Sequence, residues 1–239
     1  MRGKLYIVGT PIGNLQDITL RAVETLKMVD YIACEDTRVT KVLLASLDIK
    51  GKKIISYHNH NEIPSTKGIL ELLANNNNVA LVSDAGMPMI ADPGFNLLKE
   101  VKSGEFDFEI IPGVSAVTTS IVMSGLGPNF TFLGFPKNTK SQMTNQIKNI
   151  TSGTYIFFIA PHKLLFTLET LHDHFQGKEK VFLCKELTKK FEEHFQGTAQ
   201  ELIDKLPETI KGEFTLVFSI EKVKKEKVNK YQKNSINKI

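Results

Sequence analysis

VALVSDAGMPMIADPG, running from Val79 to Gly94, is the stretch from which the fold of this chain is read. Its first four residues, Val79 to Val82, are all apolar, the composition of a strand buried on both faces. The chain then breaks at Ser83 to Pro88 and again at Ala91 to Gly94, and a helix is predicted from Phe95. A strand running into a Gly- and Pro-rich loop is where open α/β sheets hold ligands, at the carboxyl ends of strands. Gly86 lets backbone come close to a ligand. Pro88 and Pro93 stiffen the loop and remove two donors. Asp84 puts a carboxylate at the strand tip. An ordinary strand-to-helix turn would read the same way in isolation, so the other strand ends decide.

They are similarly loaded. Lys4 to Val8 reads as a strand running into Gly9 to Leu15, and a helix follows from about Ile18 to Val29, capped by Asp17 or Thr19. Tyr31 to Cys34 is a strand ending in Glu35-Asp36-Thr37-Arg38, with Thr37 predicted to cap a helix through Leu47. Lys53 to Tyr57 runs into His58 to Glu62, and the helix after it stops at Asn75 to Asn78. Phe108 to Ile111 is broken by Pro112-Gly113, and Ser115 to Gly125 reads as a buried helix. Five strand–helix alternations predict a parallel sheet with helices on both faces. The loops after strands one to four then share one edge, and their polar residues converge into an active site.

The second half alternates less regularly. Strands are predicted at Phe130 to Phe135, Tyr155 to Ile159, Lys180 to Cys184 and Gly212 to Ile220. Helices are predicted at Ser141 to Ile150, up to Phe175, and at Ala199 to Leu206. The Phe and β-branched runs point to a mixed, partly antiparallel sheet. The fold class expected is two α/β domains, 1–116 and 117–222, with Gly125 to Asn129 read as the seam between the halves and a basic tail at 223–239. Residues 222–239 hold seven Lys against one Glu.

With 239 residues the chain can bury a large core. No apolar run approaches a membrane span, and Met1 to Gly13 lacks a secretory leader pattern, so a cytoplasmic protein is expected. Cys34 and Cys184 sit inside strand-like runs and read as buried thiols in a reducing compartment. A net charge of +4 mildly favours a polyanionic partner. The first loop lacks G-x-G-x-x-G, and neither a P-loop nor a G-x-S-x-G elbow occurs. His58 and His60 alternate but find no third ligand at useful spacing, so no metal is expected. What is left is a transfer reaction in which a cofactor carries the reactivity and the protein supplies position.

Several motifs carry a family resemblance: Val8 to Leu44 (VGTPIGNLQDITLRAVETLKMVDYIACEDTRVTKVLL), Ser56 to Glu62, Val79 to Gly94, Ile111 to Ala116, Ser124 to Gly127, Glu186 to Glu193 and Lys211 to Phe218. Together they resemble the RsmI-type ribose 2′-O-methyltransferases of 16S ribosomal RNA, within the tetrapyrrole-methylase-like superfamily. The resemblance implies two α/β domains enclosing S-adenosylmethionine, usually in a homodimer. It also implies methyl transfer to a cytidine 2′-hydroxyl in the decoding region of the small ribosomal subunit. It places the cofactor on Ser83, Asp84, Ala85 and Gly86, on Pro112, Gly113, Ser115 and Ala116, and on the strand ends near Phe158, Leu187 and Thr215. The family usually has Glu-Ser-Pro-His-Arg where this chain has Ile159 to Lys163. Its basic loop is here shortened to Pro136 to Lys140, and a C-terminal helical extension of many relatives is replaced by the basic tail.

A 2′-hydroxyl is a poor nucleophile and gains from a nearby base. Glu35, Asp36 and Glu186 are the candidates; the plainer reading has a Glu35 or Asp36 carboxylate pairing with Arg38 to hold the loop. Asn14 orients the ribose or completes a turn. Arg38, Lys41, Lys137, Lys140 and Lys163 are expected at phosphates, and His58 and His162 at RNA, unless each is simply solvated surface. Asp84 belongs near the cofactor; its plainer role is a helix cap. Two rivals stand beside this reading: a methylase of tetrapyrrole precursors, and a ribosome-binding relative without turnover.

Overall fold

Short apolar runs become the strands of a first sheet. In this computed structural model, which describes residues 2–207 and 209–221, they are β1 (Leu5–Val8), β2 (Tyr31–Cys34), β3 (Lys53–Ser56), β4 (Val79–Val82) and β5 (Phe108–Ile111). The basic tail expected at 223–239 lies outside the described residues. The strands run in the order β3-β2-β4-β1-β5, every pair parallel. β4 sits in the middle and all four of its residues are buried.

The sheet's side chains alternate between two cores. Leu5, Ile7 and Leu81 pack on α3 (Glu62–Ala74) and α4 (Phe95–Ser103) through Ile69, Leu73, Leu97 and Val101. Val8, Ala80 and Val82 face the other way, on α1 (Leu20–Met28) and α2 (Thr37–Ser46) through Leu26 and Leu44. Thr19 caps α1, accepting from the Ala22 N–H at 3.0 Å. The cap of α2 is Asp36, not Thr37, which is the first helical residue. Asp36 keeps an extended backbone and accepts from the Arg38 N–H at 2.8 Å, and a carboxylate suits the positive end of a helix.

The second sheet joins β6 (Phe130–Phe132), β7 (Gly153–Ile159), β8 (Glu179–Lys185), β9 (Glu193–Gly197) and β10 (Phe214–Ile220) in the order β6-β7-β10-β8-β9. Only β6–β7 is parallel. One face carries α6 (Lys140–Ile147), α7 (Leu164–Phe175) and α8 (Ala199–Ile203) over a core containing Phe157, Leu168, Leu183 and Phe218. The Phe157 and Phe218 rings stack at 5.9 Å. The opposite face packs on α5 (Ala116–Ser124), whose Val117 and Ile121 meet Ile156, Phe182 and Val217. α5 thus leaves the first sheet and docks on the second, which brings the first sheet's loops against the second sheet's strand ends.

A parallel sheet plus a mixed sheet is the architecture expected. Two details differ. The expected strand at Phe130 to Phe135 stops at Phe132, since Gly134 turns the chain at φ 71°. β9 was not foreseen, because its EHFQG sequence is polar and solvated at a sheet edge. Both cysteines are buried free thiols. Among the described residues no helix is long and apolar enough to cross a membrane.

Candidate functional site

The loops leaving β1, β2 and β4 are tied to one another by backbone. Thr10 and Gly86 exchange N–H···O bonds of 2.9 and 3.1 Å, and the Thr10 hydroxyl donates to the Ser83 carbonyl at 3.2 Å. The Asp36 N–H donates to Asp84 Oδ1 at 3.0 Å, so Asp84 braces a neighbouring loop and caps no helix. Gly9 lies against Gly113, and a Cβ on Gly9 would stand 2.8 Å from Gly113 Cα. Glu62 at the start of α3 fastens the far end of the β4 loop: its Oε1 accepts from the Gly94 N–H at 3.1 Å and the Tyr57 hydroxyl at 3.1 Å, its Oε2 from Asn96 at 3.0 Å.

Between these loops and the second sheet lies a cavity of about 390 Å³, within the roughly 300–1,000 Å³ usual for small-molecule sites. Asp84, Ala85, Gly86, Ser115 and Ala116 form its first-sheet wall, joined by Met87, Ile90 and Asp92. Phe158, Leu187 and Thr215 form the second-sheet wall, joined by Ile159 to Pro161, Glu213 and Phe214. Ile12 and Phe135 complete it. Eight of the residues expected at a cofactor therefore share one cavity. Ser83, Pro112 and Gly113 are not on its wall. Ser83 is buried beneath the loop, donating to the Ala85 and Gly86 carbonyls at 3.3 Å, and Gly113 backs Met87, its N–H 3.3 Å from the sulfur. Pro112 is exposed.

The acidic groups separate by environment. The Arg38 guanidinium and two backbone N–H groups hold Asp36 at about 2. This is the loop-holding pair read from the sequence. Burial raises Glu35, with Asp84 adding to it and His58 opposing. Burial also raises Asp84, against the Asp36 N–H. Burial and the Glu35 charge push Asp92 up to about 7. Glu186 is held low by the Glu213 N–H and by Lys189.

None of the residues expected at RNA lines the cavity. Asn14 is spent on a turn: its side chain accepts from the Gln16 N–H at 3.0 Å, and its own N–H donates to Thr188 Oγ1 at 3.1 Å. Arg38 and Lys41 are exposed on α2. His58 is half-buried, with Nδ1 buried and unpartnered. Lys137 and His162 are exposed. Lys140 pairs with Asp173 at 2.7 Å, and Lys163 donates to the Asn138 carbonyl at 3.0 Å. Lys137 and Lys163 lie close in sequence to the wall residues Phe135 and Pro161, which puts positive charge beside the cleft.

A parallel sheet and a mixed sheet enclosing a loop-lined cleft define a two-sheet α/β architecture with its cavity between the sheets. The tetrapyrrole (corrin/porphyrin) methylase family matches residues 4–203, and the chain belongs to that family. Within it, ribosomal RNA small subunit methyltransferase I of Mycoplasmopsis pulmonis is 52% identical over 218 residues, 91% of this chain and 98% of that protein. The protein of the same name from Bacillus subtilis is 42% identical over 219 residues, 90% of this chain and 74% of that one. Among solved structures, a diphthine synthase superposes with a TM-score of 0.70 at 17% identity, covering 91% of this chain and 90% of that one. The uroporphyrin-III-C-methyltransferase of Thermus thermophilus gives 0.67 at 18%, covering 90% and 94%. Such low identities speak for the fold alone.

Proposed function

We propose that this protein is an S-adenosylmethionine-dependent methyltransferase acting on small-subunit ribosomal RNA, at the ribose 2′-hydroxyl of a cytidine in the decoding region. The observation that carries this reading is the cavity between the two sheets, in a chain so similar to proteins named for small-subunit ribosomal RNA methylation. The residues present suit the cofactor. Ala85 and Gly86 bring little side-chain bulk to the wall, Gly86 holds φ 78°, and Ile12, Phe158 and Leu187 give an apolar lining. When bound, S-adenosylmethionine supplies an electrophilic methyl group on a sulfonium. The Ser83 to Gly86 loop and Ser115-Ala116 hold it from the first sheet, and Phe158, Leu187 and Thr215 from the second.

The chain's own contribution is position. Both walls are fixed by backbone bonds, so a hydroxyl entering the cleft meets preset groups. Glu35 and Asp36 form the acidic rim at the end of β2. Arg38, Lys41, Lys137, Lys140 and Lys163, with His58 and His162, meet RNA around it, and exposed lysines suit a polyanion read through its phosphates. Asn14 positions the rim through its turn. Domains of 1–116 and 117–222 close over the site. The enzyme works in the cytoplasm as a homodimer, to which the exposed Phe108 and Ile110 on edge strand β5 and the 80% exposed Val122 offer apolar surface.

Incubation with labelled S-adenosylmethionine and either small ribosomal subunits or a tetrapyrrole precursor tests the reading. Label on the ribose of one cytidine is the expected result. Label on the tetrapyrrole would replace it with the small-molecule methylase. Binding to subunits with no transfer would leave a ribosome-binding protein without turnover.

A further inference from the structure

Asp92 occupies an unusual stretch of backbone. Met89 and Ala91, neither of them glycine, hold φ 71° and 70°, and Gly94 follows at φ 135°. Left-handed backbone at ordinary residues is strained and collects at functional sites. Two such turns fall within three residues, and Glu62 pins the end of the segment at the Gly94 N–H. The acidic side chain which this turning brings to the cavity wall is Asp92.

Two other carboxylates reach the wall, both held by donors of the protein, while Asp92 meets the Ser83 hydroxyl. Asp84 accepts from the Asp36 N–H, and Glu213 pairs with Lys189 at 3.0 Å. Around Asp92 stand Glu35 at the end of β2, Asp84 at the end of β4 and the Ser83 hydroxyl. Behind them are the Asp36–Arg38 pair and, beside Glu35, His58, while Glu213 acts on Asp84 from the second sheet.

Resting on the methyltransferase reading above, we propose that Asp92 takes the proton from the substrate hydroxyl, and that Glu35 acts through it as a positioning residue. The O–H bond breaks and its proton goes to an Asp92 carboxylate oxygen. The hydroxyl oxygen forms its bond to the methyl carbon as the S–CH₃ bond breaks, and that bond's electron pair stays on sulfur, leaving a neutral thioether. Burial, reinforced by Glu35, puts the Asp92 carboxyl at about 7. At neutral pH roughly half the molecules then present a carboxylate whose basicity matches the medium. Asp36, held at about 2, is too weak a base for the step.

The first measurement needs no cofactor: ¹³C-carboxyl NMR of the whole chain labelled at aspartate. Asp92, assigned by its absence in Asp92→Asn, titrates near pH 7, and Glu35→Gln moves that titration down. A midpoint near 4 would overturn the proposal. Folded Asp92 also keeps its proton while the unfolded chain has lost it, so between about pH 4 and about pH 7 unfolding releases a proton and stability falls as pH rises. Asp92→Asn removes that fall.

In single-turnover transfer to small ribosomal subunits, Asp92→Asn loses about a hundredfold or more in rate and Asp92→Glu recovers part of it. Affinity for S-adenosylmethionine, by calorimetry, moves less than about threefold. The wild-type rate rises with pH through about 7. A wild-type rate in Asp92→Asn sinks the proposal alone. So does a matching loss of cofactor affinity, which would make Asp92 a cofactor ligand. No transfer by the wild-type chain removes the methyltransferase reading and this one together. If Asp92→Asn does not fold, Asp92→Glu and the Glu35→Gln pH profile decide; a profile unmoved by Glu35→Gln is the negative result.

Discussion

On the first-sheet side of the cleft the wall is loop, and on the second-sheet side it is largely strand end. The loops have little regular pairing of their own, so they are held by Thr10–Gly86, Asp36–Asp84 and Glu62–Gly94 bonds and by glycines pressed together. On the other side, Phe158 and Thr215 are register partners in the β7–β10 ladder, which fixes them as part of ordinary sheet. A loop wall tolerates no added bulk where backbones touch. A strand wall tolerates changes that keep size and facing. Charge divides less cleanly: Asp84 and Asp92 lie on the first wall and Glu213 on the second, which Lys137 and Lys163 flank.

That contrast can be attacked at its strongest point first. Gly9→Val drives a side chain into the Met87 sulfur, 2.7 Å away, and into the Gly113 backbone, 2.8 Å away at Cα and N, which cannot yield. Overpacking of this kind costs about 1–3 kcal/mol or more, so thermal unfolding shifts down and calorimetry finds no S-adenosylmethionine binding. Gly86→Val asks for φ 78° from a β-branched residue and puts Cβ 3.1 Å from Ile12. It keeps the fold and loses about a hundredfold in cofactor affinity or more; unchanged affinity would take Ser83 to Gly86 out of the site. Glu62→Ala frees the Gly94 corner and lowers transfer about tenfold, a loss of roughly 1.4 kcal/mol of transition-state stabilisation, although its side chain never reaches the cavity.

The second wall should respond more softly. Lys137→Ala with Lys163→Ala leaves cofactor affinity alone, weakens subunit binding several-fold at low salt and flattens its salt dependence by about two ions. An unaltered salt slope would place the RNA elsewhere. Smallest is Thr198→Ala, which removes one half of the capping box on α8. It costs about 1 kcal/mol of stability and leaves the transfer rate untouched, since α8 lies on the far face of the second sheet.

Sequence alone defines β2 and β4 to the residue, because strands buried in a parallel sheet are short apolar runs with abrupt polar ends, and edge strand β5 because its mostly apolar run stops at Pro112-Gly113. β9 escaped because an edge strand needs no apolar pattern. Asp36 displaced Thr37 as a cap because both types cap well and only backbone geometry chooses between them. Convergence of the β1, β2 and β4 loops was legible from the alternation itself. Which side chains of those loops face the cavity was not. Met87, Ile90 and Asp92 point where they do because the chain turns at Met89 and Ala91, and ordinary residues give no sign of a left-handed backbone in sequence. Glu62 was quoted in a motif, but its contact lies 32 residues away.

The strand order β3-β2-β4-β1-β5 has a consequence for how the protein is made. β1 and β2 leave the ribosome first, yet they never touch as neighbours; each waits for β4 to slide between them. A nascent chain cut before Val79 has no central ladder, and its early strands stand with bare edges. Insertion of β4 therefore completes the sheet and swings the Ser83 to Gly94 segment into place in one event. Slow refolding and late recovery of ligand binding should then share a single rate.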